Sequence, residues 1–179
     1  MCTIKVKDKI FKPFISAQEI QLSIERIAKQ INDDLKDKNP LFVCVLNGAF
    51  MFASDLFKEM NIEAEITFMR MKSYEGTCTT GHVKSITGLH EDVTGRTLVV
   101  VEDIIDTGYT MQTIIDQLKE LGAAEIKVAT LLFKPEALKV KDLQIDYIAR
   151  EIPNAFIVGY GLDYDEQGRN LKDIYVIAE

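Results

Sequence analysis

A strand, a helix and a second strand can be recognised in succession within residues 97–133. Residues 97–103, TLVVVED, and residues 125–133, EIKVATLLF, are short runs of mostly apolar, β-branched character. Between them, apolar residues recur every three or four positions over 111–121, and Gly122 is a natural helix stop. Strand–helix–strand units join parallel strands through right-handed crossovers. The pattern therefore predicts an α/β fold, with helices on both faces of a mostly parallel sheet.

Further elements flank this unit. Ser16 and Glu19 have the spacing of a capping box, which predicts an amphipathic helix over residues 16–36. The other predicted elements are a strand at 41–46, a helix at Phe50–Met60, strands at 62–70, 144–150, 155–162 and 174–178, and a weak helix at 135–139. With 179 residues, 47% of them hydrophobic, we expect a single compact unit.

The segment from Ser73 to Gly88 has a different composition. It is rich in Ser, Thr, Gly and Lys and has few large apolar side chains, which predicts a long mobile loop. Gly76 and Gly81 have the spacing of a P-loop, but His82 replaces its Lys and no apolar strand precedes it. We therefore do not interpret this segment as a nucleotide-binding loop.

Charge and composition exclude several classes of function. The formal net charge of −7 disfavours sequence-independent binding to nucleic acid, which depends on Lys and Arg. No apolar run is long enough to span a membrane, and the first residues lack an apolar signal core, so we expect a cytoplasmic protein without membrane contact. The three cysteines lack CxxC spacing, which argues against a disulfide framework and a structural zinc site.

The stretch VVVEDIIDTGYT, residues 99–110, is the strongest candidate site. It is the carboxyl end of a predicted strand and the start of its helix, where doubly wound sheets bind ligands. Gly108 permits a tight turn, and backbone N–H groups and threonine hydroxyls can bind a phosphate there. Asp106 and Thr107 alternatively only cap the helix. A signalling receiver domain also places acids at a strand end, but it would not need this turn.

The same stretch resembles the phosphoribosyl-pyrophosphate (PRPP) motif of type I phosphoribosyltransferases. The segments VLNGAFMFASDL, RMKSYEG, LLFKPEAL and FIVGYGLDYDEQGRNL are similar, in matching order, to hypoxanthine-guanine phosphoribosyltransferases. This resemblance implies a type I phosphoribosyltransferase fold, with a core domain at 37–150 and a small hood formed by 1–36 and 151–179. It also implies Mg²⁺ as cofactor and a homodimer or homotetramer.

The resemblance assigns a role to each matched residue. Asp106 would be the general base or proton partner of the purine, and Lys134 would donate to the purine 6-oxo group. The implied binding residues are Glu102, Asp103, Asp106, Thr107, Gly108, Tyr109 and Thr110 for PRPP; Asn47, Gly48, Ser73, Tyr74 and Arg169 for pyrophosphate; Lys134, Phe156, Ile157 and Asp163 for the purine; and Glu102, Asp103 and Asp163 for the metal.

Asn47 departs from the family pattern, since many relatives have a Lys at this position. A charge contribution from this side chain is lost, whereas backbone contacts at Asn47 and Gly48 can persist. The implied reaction uses hypoxanthine or guanine to give IMP or GMP plus pyrophosphate, with the loop from Ser73 to Gly88 closing over the site. The alternatives are a preference for xanthine or another base, and a non-catalytic regulator that senses PRPP or a nucleotide.

Overall fold

The computed structural model describes residues 3–74 and 83–178, which form ten strands and three α-helices. The strands are β1 (Ile4–Val6), β2 (Lys9–Ile15), β3 (Leu41–Leu46), β4 (Glu65–Tyr74), β5 (Val83–Thr87), β6 (Thr97–Ile105), β7 (Glu125–Phe133), β8 (Tyr147–Glu151), β9 (Ile157–Val158) and β10 (Ile174–Ile177). The helices are α1 (Ala17–Leu35), α2 (Phe50–Lys58) and α3 (Tyr109–Glu120), and a 3₁₀ turn spans Pro135–Ala137. The predicted strands at 41–46 and 125–133 are confirmed at both ends.

Six strands form the main sheet in the order β5-β4-β3-β6-β7-β8. Every pair is parallel except β4 and β5, which are antiparallel. The α/β prediction of a twisted, mostly parallel sheet is therefore confirmed. Successive strands of this sheet end at the same edge, where the carboxyl ends of β3, β6 and β7 bring their following loops together.

Helices cover both faces of this sheet. Alternate residues of β3, Phe42 and Cys44, pack in one hydrophobic cluster with α1 and α2, while Leu41 and Val43 pack in a second cluster with α3. A strand between two helical layers is apolar at every position, which is why residues 41–46 read as a continuous apolar run. The predicted capping box is present, since Ser16 and Glu19 exchange hydrogen bonds at the start of α1.

A second, antiparallel sheet has the order β1-β2-β10-β9 and joins the two ends of the chain. Phe11 of β2 is the register partner of Ile177 of β10, and it is fully buried beside Val158. The small hood of N- and C-terminal segments is thereby confirmed. The sequence patterns did not predict β1 or β2. The division at residues 37 and 150 stays a prediction.

The prediction of a long loop from Ser73 to Gly88 is wrong at both of its ends. β4 continues to Tyr74, and Val83–Thr87 forms β5, which pairs with it antiparallel. An edge strand that packs on only one side needs few apolar residues, so low apolar content did not exclude a strand here. The centre of the predicted loop, residues 75–82, lies outside the described residues. No helix in the described part of the chain is long and apolar enough to cross a membrane.

Candidate active site

The predicted phosphate motif lies at the carboxyl edge of the main sheet. Its residues follow β6 and enter α3, as the sequence pattern predicted. A cavity of about 110 Å³ is lined by Glu102, Ile104, Ile105, Asp106, Thr107, Gly108, Thr110 and Met111. The acids and the turn therefore line one site.

The carboxylates of Glu102 and Asp103 form a buried acidic pair. Glu102 is only 9% exposed, and the Asp103 N–H donates to its Oε1 at 3.1 Å. The Ile104 N–H donates to Asp103 Oδ1 at 2.9 Å. Burial raises the pKa of Glu102 well above its usual range, and the charge of Asp103 raises it further; burial also raises the pKa of Asp103. Such a pair is stabilised by hydroxyl donors or by a cation.

The acidic pair suits a hard divalent cation. Mg²⁺ usually binds through one or two carboxylates and completes its coordination with phosphate oxygens and water. Within residues 3–74 and 83–178, no three His, Cys, Asp or Glu side chains are grouped as a ready-made metal site. The chemistry of Glu102 and Asp103 therefore fits a cation that arrives together with a phosphate-containing substrate.

The raised pKa of Glu102, caused mainly by burial, predicts a stability cost at neutral pH. Because the folded-state pKa is raised, ionisation opposes folding, and stability falls as the pH rises through that pKa. We expect Glu102→Gln to raise the Tm of the ligand-free protein at pH 8 by about 3–8 °C. The gain should shrink as the pH falls toward the unfolded-state pKa, about 4.3. Thermal melts of both proteins across this pH range test the prediction. Glu136→Gln, at an exposed position, is the control and should leave the Tm unchanged. A lower Tm for Glu102→Gln at pH 8 would contradict the proposed cost of ionising Glu102.

The phosphate turn is fixed from behind by the segment that follows the 3₁₀ turn. Gly108 has φ +85°, a backbone conformation that favours glycine. A Cβ at Gly108 would lie 2.9 Å from Leu138 Cδ1 and 3.0 Å from Leu143 Cδ2. The Thr107 carbonyl accepts a hydrogen bond from the Lys139 N–H at 3.0 Å. These contacts hold the turn in a shape that only glycine fits at its centre.

The start of α3 carries no side-chain cap. Its N-cap residue is Gly108, which makes no side-chain hydrogen bond. The N-cap position therefore belongs to Gly108 and not to Asp106 or Thr107, and the phosphate-binding role of these two residues stays a prediction. A helix N-terminus without a side-chain acceptor at its cap presents backbone N–H groups and a positive dipole end to an anion.

Asp106 and Lys134 meet because their strands are in register. Ile105 of β6 pairs with Phe133 of β7, so the residues that follow each strand lie side by side. Lys134 Nζ is 3.4 Å from Asp106 Oδ2. The side chain of Lys134 is only 10% exposed, while that of Asp106 is 47% exposed. A buried ammonium and a half-exposed carboxylate thus stand together beside the phosphate turn.

The loop after β3 packs tightly against the acidic pair. A Cβ on Gly48 would lie 1.7 Å from Asp103 Oδ2, a distance that no side chain can adopt. A Cβ on Gly161 would in turn lie 2.1 Å from the Gly48 carbonyl oxygen. Glycine at both positions lets three separate segments approach one another around the carboxylate of Asp103.

The side chain of Asn47 accepts a hydrogen bond from an arginine of the neighbouring strand. The peptide bond between Leu46 and Asn47 is cis, and Leu46 is the register partner of Arg70 in β4. Arg70 Nη2 donates to Asn47 Oδ1 at 3.0 Å. A guanidinium from β4 therefore contacts the loop at the position where the side chain itself carries no charge.

Arg169 joins the C-terminal loop to this edge. Its Nη2 is 2.9 Å from Asp163 Oδ1, and its Nη1 donates to the Gly161 carbonyl at 2.9 Å. Asp163 Oδ2 also accepts the Glu166 N–H at 2.8 Å. The positive charge of Arg169 acts on Asp103 as well, where it lowers the pKa against the larger effect of burial. Asp163 and Arg169 are thus brought close to the acidic pair.

Phe156 and Ile157 lie in the hood. The side chain of Phe156 is 44% exposed, unusually open for a large apolar residue, whereas Ile157 is buried. The Ile177 N–H donates to the Phe156 carbonyl at 2.9 Å, and Ile157 pairs with Val176. Ser73 and Tyr74 are the last residues of β4, and their side chains lie outside the described part of the structure.

Comparison with known proteins agrees with this geometry. The sequence model of the phosphoribosyl transferase domain matches residues 15–165. A hypoxanthine-guanine phosphoribosyltransferase of Streptococcus thermophilus is 41% identical over 171 residues, 95% of this chain and 94% of the relative. The chain belongs to the hypoxanthine-guanine phosphoribosyltransferase family.

Solved structures of the same family have the same fold. The hypoxanthine-guanine phosphoribosyltransferase of Bacillus anthracis is 36% identical, with a TM-score of 0.83 over 96% of this chain and 99% of that one. The hypoxanthine phosphoribosyltransferase of Staphylococcus aureus is 30% identical, with a TM-score of 0.82 over 93% of this chain and 91% of that one.

Sequence reasoning within this family missed two sets of residues at the site. Arg70 was overlooked because its contact with Asn47 depends on the register of β3 and β4. Leu138 and Leu143 pack behind the phosphate turn. Leu138 was placed only in a weak helix at 135–139, and Leu143 was assigned to no element. The apolar spacing of Leu138, Val140 and Leu143 is the sequence signal from which packing of this segment could have been predicted.

Proposed function

We propose that this protein is a purine-salvage enzyme that transfers the 5-phosphoribosyl group of PRPP to hypoxanthine or guanine. The products are IMP or GMP and pyrophosphate. One observation carries the proposal: a buried acidic pair, a phosphate turn and a lysine–aspartate pair line one edge of the sheet. These three features address the ribose, the 5-phosphate and the base of one reaction.

The proposed binding mode separates the acids from the phosphate. Glu102 and Asp103 would either accept hydrogen bonds from the ribose 2- and 3-hydroxyls or hold a Mg²⁺ ion that the hydroxyl oxygens ligate. The turn from Thr107 to Thr110 and the start of α3 bind the 5-phosphate through N–H and hydroxyl donors. The carboxylates would therefore stand beside neutral hydroxyls rather than beside the negatively charged phosphate.

The pyrophosphate would lie between the β3 loop and the C-terminal loop. The backbone of Asn47 and Gly48 and the side chain of Arg169 supply donors, and Ser73 and Tyr74 are proposed to add contacts from the end of β4. Arg169 can bind two phosphate oxygens with its planar guanidinium. Asp163, which now pairs with Arg169 at 2.9 Å, would then bind the metal-associated side of the leaving group and the edge of the purine.

Lys134 and Phe156 are proposed to select the base. The buried ammonium of Lys134 is a donor that matches a 6-oxo acceptor, whereas the 6-amino group of adenine would place a second donor against it. The exposed ring of Phe156 offers a stacking surface, and backbone groups near Ile157 face the far edge of the purine. Because Lys134 reads the 6-oxo group, 6-oxopurines are proposed as the substrate class.

The reaction requires charge stabilisation at the carbon under attack. That carbon becomes oxocarbenium-like as pyrophosphate leaves, and the carboxylates of Glu102 and Asp103 stabilise the developing positive charge. Asp106 accepts the proton that the five-membered ring of the purine loses as a ring nitrogen attacks this carbon and pyrophosphate leaves. Mg²⁺, when bound with PRPP, neutralises charge on the pyrophosphate oxygens.

Nucleotide formation tests the proposed function directly. With PRPP, hypoxanthine and Mg²⁺ we expect IMP, measured by chromatographic separation, and with guanine we expect GMP. EDTA in excess should abolish the product, and added Mg²⁺ should restore it, because the carboxylates and pyrophosphate need a shared cation. Nucleotide formation at an undiminished rate in EDTA would overturn the metal requirement, and no product under any condition would overturn the enzyme.

The wider setting is also proposed. We expect the enzyme to act in the cytoplasm as a homodimer or homotetramer, without nucleic acid or membrane partners. A regulator that senses PRPP or a nucleotide would not need Asp106 beside Lys134, whereas an enzyme acting on a purine does.

A further inference from the structure

The ring of Phe156 is held by two other aromatic side chains. Tyr164 meets it edge to face, with ring centroids 5.6 Å apart and an interplanar angle of 89°. Phe11, which is fully buried, lies 6.0 Å from Phe156 and 6.4 Å from Tyr164. Edge-to-face pairs at this separation are favourable, and they fix the orientation of both rings. The exposed part of Phe156 is what remains after these two contacts.

Tyr164 is in turn held by the turn between β1 and β2. Its hydroxyl donates to Asp8 Oδ1 at 2.8 Å, and Lys9 Nζ lies 5.5 Å from its ring centroid. Lys7 forms an ion pair with Asp165, the residue after Tyr164. Three consecutive residues of the N-terminal turn thus contact two consecutive residues of the C-terminal loop.

The backbone of both turns is constrained in the same way. Lys7 has φ +52° and Asp165 has φ +51°, a conformation that residues other than glycine rarely adopt. Asp163, which pairs with Arg169, directly precedes Tyr164 in the chain, so one loop carries both a proposed pyrophosphate contact and the ring that packs on Phe156. Non-glycine residues in strained turns persist where the surrounding contacts require their side chains.

We propose that Tyr164 is a positioning residue for purine binding, which orients the Phe156 ring and is itself fixed by Asp8 and Lys9 of the N-terminal turn. The inference rests on the proposed function, because it assumes that Phe156 stacks on the base. Tyr164 acts through Phe156 and does not itself react. The turn that contains Asp8 thereby contributes to the affinity of the protein for a purine that stacks on Phe156.

The test separates purine affinity from PRPP affinity and from stability. In Tyr164→Leu we expect the KM for hypoxanthine to rise about 3- to 10-fold at saturating PRPP, with the KM for PRPP unchanged. Tyr164→Phe and Asp8→Ala each remove the hydroxyl–carboxylate bond, so each should raise the same KM about threefold. Their combination should raise it no further, since both remove one interaction.

Tyr147→Phe is the matched control. Tyr147 also donates its hydroxyl to an aspartate of the N-terminal region, Asp34 at 3.1 Å, but it lies at the start of β8, away from the carboxyl edge. It should lower the Tm without changing either KM. An unchanged hypoxanthine KM in Tyr164→Leu, or an equal rise in the KM for PRPP, would overturn the positioning role while leaving the proposed enzyme intact. A wild-type protein that forms no nucleotide would overturn both.

Discussion

Asp106→Asn should lower kcat for IMP formation by about 10²- to 10³-fold, with the KM for PRPP changed less than about threefold. Asn keeps the size of the side chain and an acceptor for Lys134, which lies 3.4 Å from the carboxylate, but it cannot take up a proton. Asp106 follows Glu102 and Asp103 in the chain but is half exposed, so it is accessible to a base in the cavity. Steady-state kinetics with hypoxanthine and PRPP varied separately measure the two effects.

Asp116→Asn provides the control for this prediction. Asp116 is an exposed carboxylate on α3, ten residues further along the chain, where it accepts a hydrogen bond from Gln112 at 2.8 Å. Its replacement should leave both kinetic parameters unchanged. If Asp106→Asn lowered kcat and PRPP affinity by the same factor, Asp106 would position the substrate rather than transfer a proton.

Lys134→Met should remove most of the preference for 6-oxopurines. Met is unbranched, so it fills the space beside the sheet edge without a donor. A charged hydrogen bond to the 6-oxo group is worth about 10- to 100-fold, and kcat/KM for hypoxanthine should fall by this factor. Adenine gains nothing from the ammonium, so its already low kcat/KM should change little. The ratio of the two kcat/KM values is the informative quantity, because general damage to the fold lowers both.

Lys139→Met is the matched substitution outside the site. Lys139 follows the 3₁₀ turn, and its side chain is exposed. Its backbone N–H, which the substitution keeps, contacts the phosphate turn. We expect its ratio of hypoxanthine to adenine to equal that of the wild type. An unchanged ratio in Lys134→Met would remove the proposed role of Lys134 and leave its pairing with Asp106 as a structural contact.

The centre of the fold was predictable because its signals are local. β3, β6 and β7 are covered on both faces, so β3 is a continuous apolar run and β6 and β7 are mostly apolar. Helix α3 shows the 3.6-residue periodicity of a helix packed on one side. The motif from Glu102 to Thr110 is continuous in the chain as well. Its position at the carboxyl edge followed from the strand–helix connection.

The hood was not predictable in the same way. β2 contains Pro13, two lysines and the exposed Ile10, so it shows no clear strand pattern. Its partner β10, Ile174–Ile177, lies some 160 residues further along the chain. A short, half-exposed strand becomes stable only with that partner. The contacts of Arg70 with Asn47 and of Tyr164 with Asp8 share this property, since each depends on segments that meet only in the folded chain.

The loop prediction from Ser73 to Gly88 failed for a related reason. Polar composition signals exposure, but the edge strand Val83–Thr87 is stabilised by antiparallel backbone pairing with β4, which does not require apolar side chains. Composition therefore correctly placed this segment outside the core, but it did not predict that Val83–Thr87 forms a strand. The proposal that this region closes over the substrate concerns residues 75–82 as well, which lie outside the described structure.

The proposed reaction at this site joins PRPP to a 6-oxopurine. Purified protein with PRPP and Mg²⁺, offered equal concentrations of hypoxanthine, guanine, xanthine and adenine together, tests it in one chromatographic separation of the products. The account predicts that IMP and GMP predominate and that AMP is minor. AMP as the main product, or the absence of any nucleotide, would contradict it.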